Sequence, residues 1–366
     1  MTTVRAAVVN DFGSEWSVEN VALDDSTLGP TDVLVSMRAA GLCHTDEHIR
    51  EGSLRVTPVP FVGGHEGAGV VEAVGEGVSD IAPGDHVVLC FRPSCGRCRP
   101  CAAGKAHLCV EARRLSDGTI ATRFHRRSEI LATQSLIGTF AEKSVVPAMS
   151  CVVIDKDIPF EVAALLGCAV PTGYGAAVNA GKVQSGDSVL IVGMGGVGTN
   201  AVQGASIAGA ANIVVVDLSE NRRSIATDFG ATAAVETIAE ASEHIRQQTG
   251  QEFDVAIITV GVSGIAENAI AALNPGGRIV LAALGDPEKL RLNYPITPIA
   301  MKNITIQGTV MGGATLRRDI PKILDLYRQS KFKLDELISE KLSLDEIQEG
   351  YEGLHRGGVT RSVIVY

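Results

Sequence analysis

The stretch from Ser188 to Asp217 constrains the fold of this chain more than any other. SVLIV (188–192) is an apolar, β-branched run without alternation, the pattern of a strand buried on both faces. GMGGVG follows, then the helical stretch TNAVQGASIAG, then IVVVD. Gly193, Gly195 and Gly198, with Gly196 between them, form G-x-G-x-x-G, and Asp217 lies 19 residues after Gly198. A glycine-rich turn alone is weak evidence, and an ordinary strand–helix turn is the bland alternative. The preceding strand, the following helix and the acid closing the next strand make a dinucleotide fingerprint. The glycines allow a tight turn and close approach of a pyrophosphate to helix N–H groups. Asp217 can accept hydrogen bonds from adenosine ribose hydroxyls and would repel a 2′-phosphate, and Leu218 rather than an arginine follows it. NAD is therefore expected over NADP.

Further strands are predicted at VAIITV, GRIVLAAL and ITIQGTV, with helical segments such as GIAENAIAAL between them. Such alternation argues for a parallel, doubly wound α/β sheet. Before about residue 160 the chain reads differently. RAAVVNDF, TDVLVSMRAA, GAGVVEAVG and DHVVLC are β-branched runs bounded by turn residues, so a mostly β domain is expected there. The tail from about Ile320 holds two helical patterns and a last strand, SVIVY. The 366 residues accommodate two domains, and 40 glycines suit tight α/β turns.

A net charge of −10 makes nucleic acid a poor partner. The basic run Arg123, Arg126, Arg127 is short and reads as a solvated loop. MTTVRAAVVNDFG lacks the apolar core of a signal peptide, and no uncharged apolar stretch is long enough to span a membrane. A cytoplasmic location without membrane attachment is expected. In that compartment eight cysteines read as thiols or metal ligands rather than disulfides.

Cys95, Cys98, Cys101 and Cys109 follow C-x2-C-x2-C-x7-C, and four thiolates this close can wrap a tetrahedral Zn²⁺ with no open position. Such a site is structural. Cys90 and Cys151 have no ligand spacing and read as small buried residues. Three other segments carry candidate ligands: CHTDEH from Cys43, GGHEGAG around His65 and Glu66, and LLGCAVPTGYGAA around Cys168. A catalytic zinc takes three protein ligands and one open position. Spacing alone cannot bring Cys43, His65 and Cys168 together, and each taken singly could be an ordinary buried side chain.

The motif Gly64-His65-Glu66-x2-Gly69-x5-Gly75 resembles the zinc signature of the medium-chain zinc alcohol dehydrogenases. The resemblance is collinear over nearly the whole chain: first Cys43, then His-Glu, the four-cysteine lobe, GCxxxTGYGAAV and the glycine fingerprint. FVGGHEGAGVV, PGDHVVL, PSCGRC, GTFAE and DIPKILDLY are most similar to the actinobacterial branch dependent on N,N-dimethyl-4-nitrosoaniline (NDMA). The resemblance implies a GroES-like catalytic domain with a structural zinc lobe over 1–169 and 311–366, and a Rossmann domain over 170–310. It implies Cys43, His65 and Cys168 as catalytic zinc ligands, with Asp46 orienting His65 and Glu66 close behind the metal. Thr45 and His48 resemble a proton relay. Thr172 and Val197 resemble residues packed on the nicotinamide, Arg222 a group near the adenosine and Arg361 one near the pyrophosphate. His44, at a position often held by a pyrophosphate-binding arginine, and Val260 are expected at the cofactor too. Leu54, Phe91, Phe140 and Val310 resemble an apolar substrate barrel, with Arg114 at its rim. Met311 stands where an aromatic is frequent.

The implied chemistry is reversible hydride transfer between an alcohol, expected to be primary, and NAD, with two zinc ions per subunit. The proton is expected to leave through Thr45, by way of the cofactor ribose, to His48 and solvent. Pairing of the last strand of the parallel sheet with its twin implies a homodimer, or a tetramer of two dimers. Alternatives within the family are a thiol-adduct formaldehyde dehydrogenase, with Arg113 or Arg114 serving glutathione or mycothiol, and a nicotinoprotein that keeps NAD(H) and passes electrons to an external acceptor. A non-enzymatic, zinc-stabilised binding protein is the alternative of a different class.

Overall fold

The computed structural model describes residues 1–114, 123–357 and 360–366, and the side chains of 113 and 114 lie outside that description. Arg113 and Arg114 are therefore expectations on which the described residues do not bear. The chain divides into two compact units. The first comprises Met1–Cys168, Thr315–Lys322 and Leu334–Tyr366; the second comprises Ala169–Ala314 and Ile323–Lys333. Residues 311–314 and Ile323–Lys333, expected from sequence with the first unit, thus group with the second. Phe332 meets the Tyr174 ring edge-on at 5.9 Å, and the Gln203 side chain exchanges two hydrogen bonds with the Lys333 backbone.

The first unit is mostly β. Thr2–Val9, Ser17–Leu23, Phe124–Arg126, Glu129–Thr133 and Phe61–Val62 close into a small barrel. A seven-stranded sheet runs in the order Cys151–Ile154, His86–Cys90, Glu66–Val74, Asp32–Gly41, Arg361–Val365, Ile338–Leu342, with Lys143–Pro147 also paired to Asp32–Gly41. Every strand predicted from the β-branched runs is present. Ile338–Leu342 was not legible, because its sequence ISEKL carries two charges and little β-branching. Cys90 and Cys151 are buried on neighbouring strands. Burial pushes the Cys151 thiol up to about 12, consistent with an inert core residue.

The second unit is a six-stranded parallel sheet in the order Ala233–Val235, Asn212–Val216, Ser188–Val192, Phe253–Ile258, Leu273–Leu281, Thr305–Gly308. In chain order this is 3-2-1-4-5-6, the doubly wound arrangement. Ser188–Val192 is buried at every position, as its unbroken apolar run requires. Leu190, Val192, Val214, Ile258 and Ile279 share one core cluster with Ala241 and Ile245 of the helix Ile238–Thr249. The order reverses between Ser188–Val192 and Phe253–Ile258. At that switch point the fingerprint loop opens the helix Gly196–Ile207. No described helix is long and apolar enough to cross a membrane.

Candidate active site

In the first unit, Cys43 ends the strand–helix junction and N-caps the helix His44–Arg50. Its backbone N–H donates to Asp46 Oδ2 at 3.2 Å, so the carboxylate caps the helix. The other oxygen of Asp46 accepts from His65 Nδ1 at 2.7 Å. His65 follows Gly64, whose φ of +92° and close approach to Phe140 N, 2.6 Å from where a Cβ would stand, exclude other residues. Cys168 follows the short helix Phe160–Leu165.

These three segments converge. One donor atom each from Cys43, His65, Glu66 and Cys168 lies within 4.8 Å of the others, and all four are enclosed by protein. His65 Nε2 is buried without a hydrogen-bond partner. An orphaned imidazole nitrogen between two thiols is the donor set of a zinc site with room for one more ligand. The electrostatics agree. The hydrogen bond from Cys168 and the charge of His65 hold the Cys43 thiol well below its ordinary range, and Cys43 in turn pushes Cys168 well above it. Two thiolates side by side repel, and a dication relieves that repulsion. Burial pulls the charge of His65 down, but Asp46 and Cys43 outweigh it and raise its pKa.

Glu66 is fully buried and pairs with Arg361, which is itself 4% exposed. Burial pushes the Glu66 carboxyl up to about 8, against the pull of the Arg361 guanidinium. Arg361, expected from the resemblance near a pyrophosphate, is engaged by Glu66 beside the clustered thiols.

Thr45 is half-buried on the first turn of the same helix. His48 lies one turn on, half-buried, with Nδ1 3.3 Å from Ser53 Oγ. His44 is exposed on that helix. Phe91 meets the His65 ring edge-on at 5.2 Å and forms an apolar wall of the ligand cluster. Leu54 is half-buried against the core that holds Trp16 and Phe61. Phe140 corrects the expectation of a substrate-lining residue. It is 0% exposed, packed against Trp16 at 5.5 Å, and has no free surface to offer a substrate.

The lobe cysteines also converge. One sulfur from each of Cys95, Cys98, Cys101 and Cys109 lies within 4.8 Å of the rest, with Cys98 3.4 Å from Cys101 and 3.9 Å from Cys109. A tetrahedron of Zn–S bonds has edges of about 3.8 Å, so the sulfurs fit zinc. Backbone N–H groups of Cys101 and Val110 hold the Cys98 thiol down to about 6, whereas burial and the neighbouring Cys98 push the Cys101 thiol up to about 12.

In the second unit a cavity of about 850 Å³ opens beside the switch point. Gly193, Asp217, Arg222 and Val260 line it. Asp217 accepts from Met194 N at 2.7 Å and Ser219 N at 2.9 Å, which fixes its carboxylate at the cavity wall. A Cβ on Gly198 would stand 1.8 Å from Gly193 O, whereas one on Gly195 would meet no protein atom within 4 Å. Gly198 is thus required by packing. Gly195 is not; it leaves an open cradle at the helix N-terminus, which suits a pyrophosphate. Val197 is half-buried on the first helical turn. Thr172 Oγ1 lies 3.6 Å from Met311 Sδ, and Val310 is 40% exposed.

Sequence reasoning missed two members of the ligand cluster's surroundings. Gln134 Nε2 donates to Asp46 Oδ1 at 2.6 Å, and Tyr351 Oη donates to Asp46 Oδ2 at 3.0 Å. Neither residue belongs to a motif, and no local signal marks them.

Comparison with known proteins agrees with this geometry. Residues 29–156 match the alcohol dehydrogenase GroES-like domain, and residues 196–329 match the zinc-binding dehydrogenase family. An NDMA-dependent alcohol dehydrogenase of Amycolatopsis methanolica is 41% identical over 99% of this chain and 98% of its own length. Among solved structures, an alcohol dehydrogenase zinc-binding domain protein from Burkholderia ambifaria has a TM-score of 0.91 at 32% identity, covering 100% of this chain and 99% of that one. Benzyl alcohol dehydrogenase from Acinetobacter calcoaceticus has a TM-score of 0.89 at 29% identity, with the same coverage. With two family models covering most of its length and a relative this similar along nearly all of it, the chain belongs to the medium-chain zinc alcohol dehydrogenases, on their actinobacterial branch, and is an oxidoreductase acting on alcohols.

Proposed function

We propose that this alcohol dehydrogenase oxidises a primary alcohol with NAD at a zinc held by Cys43, His65 and Cys168, and that a second, structural zinc sits in the Cys95–Cys109 lobe. One observation carries the reading: two cysteine thiols and a partnerless, buried His65 Nε2 share one enclosed cluster. Bound there, zinc would supply a Lewis acid for the alcohol oxygen and the nicotinamide cofactor a hydride acceptor. The chain's own part is positional. Asp46 fixes the His65 ring, and Phe91 keeps an apolar wall against it. The Thr45 hydroxyl accepts the substrate proton while donating its own onward, and His48, one helical turn on, passes it to solvent. The cavity lined by Gly193, Asp217, Arg222 and Val260 holds the adenosine half of the cofactor, and Asp217 selects NAD.

The protein assembles as a homodimer or as a tetramer of two dimers. Thr305–Gly308 ends the parallel sheet, and Ile296 and Met301 on the preceding helix are 80% and 81% exposed. Such an edge with apolar neighbours favours pairing between copies.

Metal analysis with a cofactor-release assay tests the reading. Two zinc ions per chain, and alcohol oxidation on added NAD, are expected. One zinc or none in folded, active protein refutes the metal assignment. Stoichiometric NAD(H) released on denaturation without added cofactor shows a nicotinoprotein instead. Formaldehyde oxidation that strictly requires glutathione or mycothiol shows the thiol-adduct enzyme.

A further inference from the structure

The proposed zinc ligand His65 depends on which of its ring nitrogens carries the proton, and the residues that decide this lie outside every recognised motif. Asp46 is completely buried. A carboxylate offers about four acceptor positions, and all four of its hydrogen bonds are visible. Oδ1 accepts from His65 Nδ1 at 2.7 Å and from Gln134 Nε2 at 2.6 Å. Oδ2 accepts from Tyr351 Oη at 3.0 Å and from Cys43 N at 3.2 Å.

The orientation of Gln134 is fixed independently. Gly64 N–H donates to one atom of its amide at 3.1 Å, so that atom is the oxygen and the NH₂ group faces Asp46. Tyr351, on the helix Ile347–His355, is held by stacking on Trp16 at 5.7 Å and 16°. Its hydroxyl can only donate to a carboxylate. Gln134 and Tyr351 therefore fill one position on each oxygen and hold Asp46 in one rotamer, with its remaining Oδ1 position aimed at His65 Nδ1. The proton of His65 then sits on Nδ1, and the Nε2 lone pair faces Cys43 and Cys168. His65 Nε2 is buried with no other partner.

We infer that Gln134 and Tyr351 are positioning residues for the catalytic metal: by saturating Asp46 they set the tautomer and aim of His65. The inference rests on the assignment of His65 as a zinc ligand. The two residues are 88 and 305 positions from Asp46, so the device joins three distant parts of the chain.

Four full-length proteins test it: wild type, Tyr351→Phe, Gln134→Glu and Tyr366→Phe. Tyr351→Phe keeps the ring on Trp16 and removes only the donor. Gln134→Glu keeps the acceptor for Gly64 N–H and replaces the donor facing Asp46 with an acceptor. Tyr366→Phe is the control, since its hydroxyl donates to Thr139 O at 2.6 Å and not to Asp46. The readouts are zinc released per chain to a chelating dye over time and the visible absorption of the cobalt-substituted protein. Loss of partners around a liganding histidine typically weakens metal binding 10- to 100-fold. Tyr351→Phe is expected to release one of the two zinc ions on the order of 10-fold faster than wild type, and Gln134→Glu faster still. Both should shift the cobalt bands, while Tyr366→Phe behaves as wild type. Wild-type release and bands in Tyr351→Phe overturn the inference, and that variant decides alone if Gln134→Glu does not fold. Equal acceleration in Tyr366→Phe also overturns it, as general loosening. A wild type lacking the second zinc refutes the metal assignment itself, before any variant is compared.

Discussion

Two glycines of one loop separate folding from cofactor binding. A Cβ on Gly198 would stand 1.8 Å from Gly193 O and 2.8 Å from Gly193 C. Real Cβ contacts keep at least 3.0 Å, so Gly198→Ala must part the loop from the helix by about 1.2 Å. Both atoms are backbone and cannot swing aside. Overpacking of this kind costs about 1–3 kcal/mol. At roughly 2–4 °C per kcal/mol, the melting temperature should fall by about 2–12 °C. Gly195 differs. Its Cβ would meet no protein atom within 4 Å, so Gly195→Ala should fold and melt as wild type. If the cradle holds a pyrophosphate, the added methyl occupies ligand space, and the same 1–3 kcal/mol falls on binding, weakening NADH about 5- to 150-fold. Melting curves by circular dichroism and NADH titration by fluorescence give both numbers for both variants. The reasoning fails if Gly195→Ala binds NADH as tightly as wild type. It fails equally if Gly198→Ala loses no stability.

Asp217→Gly removes the proposed ribose acceptor and the charge at the cavity wall, so the ratio of kcat/KM for NAD over NADP should fall; equal use of both cofactors by wild type refutes the assignment. Cys98→Ser should lower the zinc content by one and destabilise the first unit, because structural zinc binding is folding free energy. Cys43→Ser should also lose one zinc but abolish turnover with less loss of stability; metal analysis with melting curves separates the two. Lys341 Nζ lies 2.6 Å from Glu161 Oε1, and this hydrogen bond holds the Glu161 carboxyl below its ordinary 4.5. A depressed acid stabilises the fold above its unfolded pKa and loses that contribution as pH falls through the folded value. Lys341→Ala should therefore cost up to about 1 kcal/mol at pH 7, and the difference from wild type should vanish in the acid range below 4.5. A pH-independent difference would assign the effect to packing.

How much of the fold was legible depended on how local its cause is. Ser188–Val192 announced itself because a strand buried on both faces must be apolar throughout. Asn212–Val216 and Phe253–Ile258 did so for the same reason. Ala233–Val235 did not. It is three half-buried residues at the sheet edge, too short for any period to register. The placement of Ile323–Lys333 was likewise invisible, since it turns on Phe332 finding Tyr174 more than 150 residues away. The aromatic at Phe140 was misread for a related reason. Its sequence neighbourhood fits a pocket wall as well as a core. Only the packed rings of Trp16 and Tyr351 decide for the core.

The ligand cluster shows where the boundary falls. Spacing was enough for the lobe, because Cys95 to Cys109 span fifteen residues and chain geometry alone keeps four sulfurs within reach of one ion. Spacing was useless for Cys43, His65 and Cys168, which only the sheet and helix termini bring within 4.8 Å; their grouping came from the resemblance. Beyond them, even resemblance offered nothing for Gln134 and Tyr351. A residue that bonds a metal is limited to a few side-chain types, and so leaves a mark in the sequence. A residue that only supplies one donor to a buried carboxylate can be any of several types on any element that passes nearby. Its identity is fixed by the rotamer of Asp46 and by what already fills the other acceptor positions. That information exists only once the barrel, the sheet and the C-terminal helix have packed.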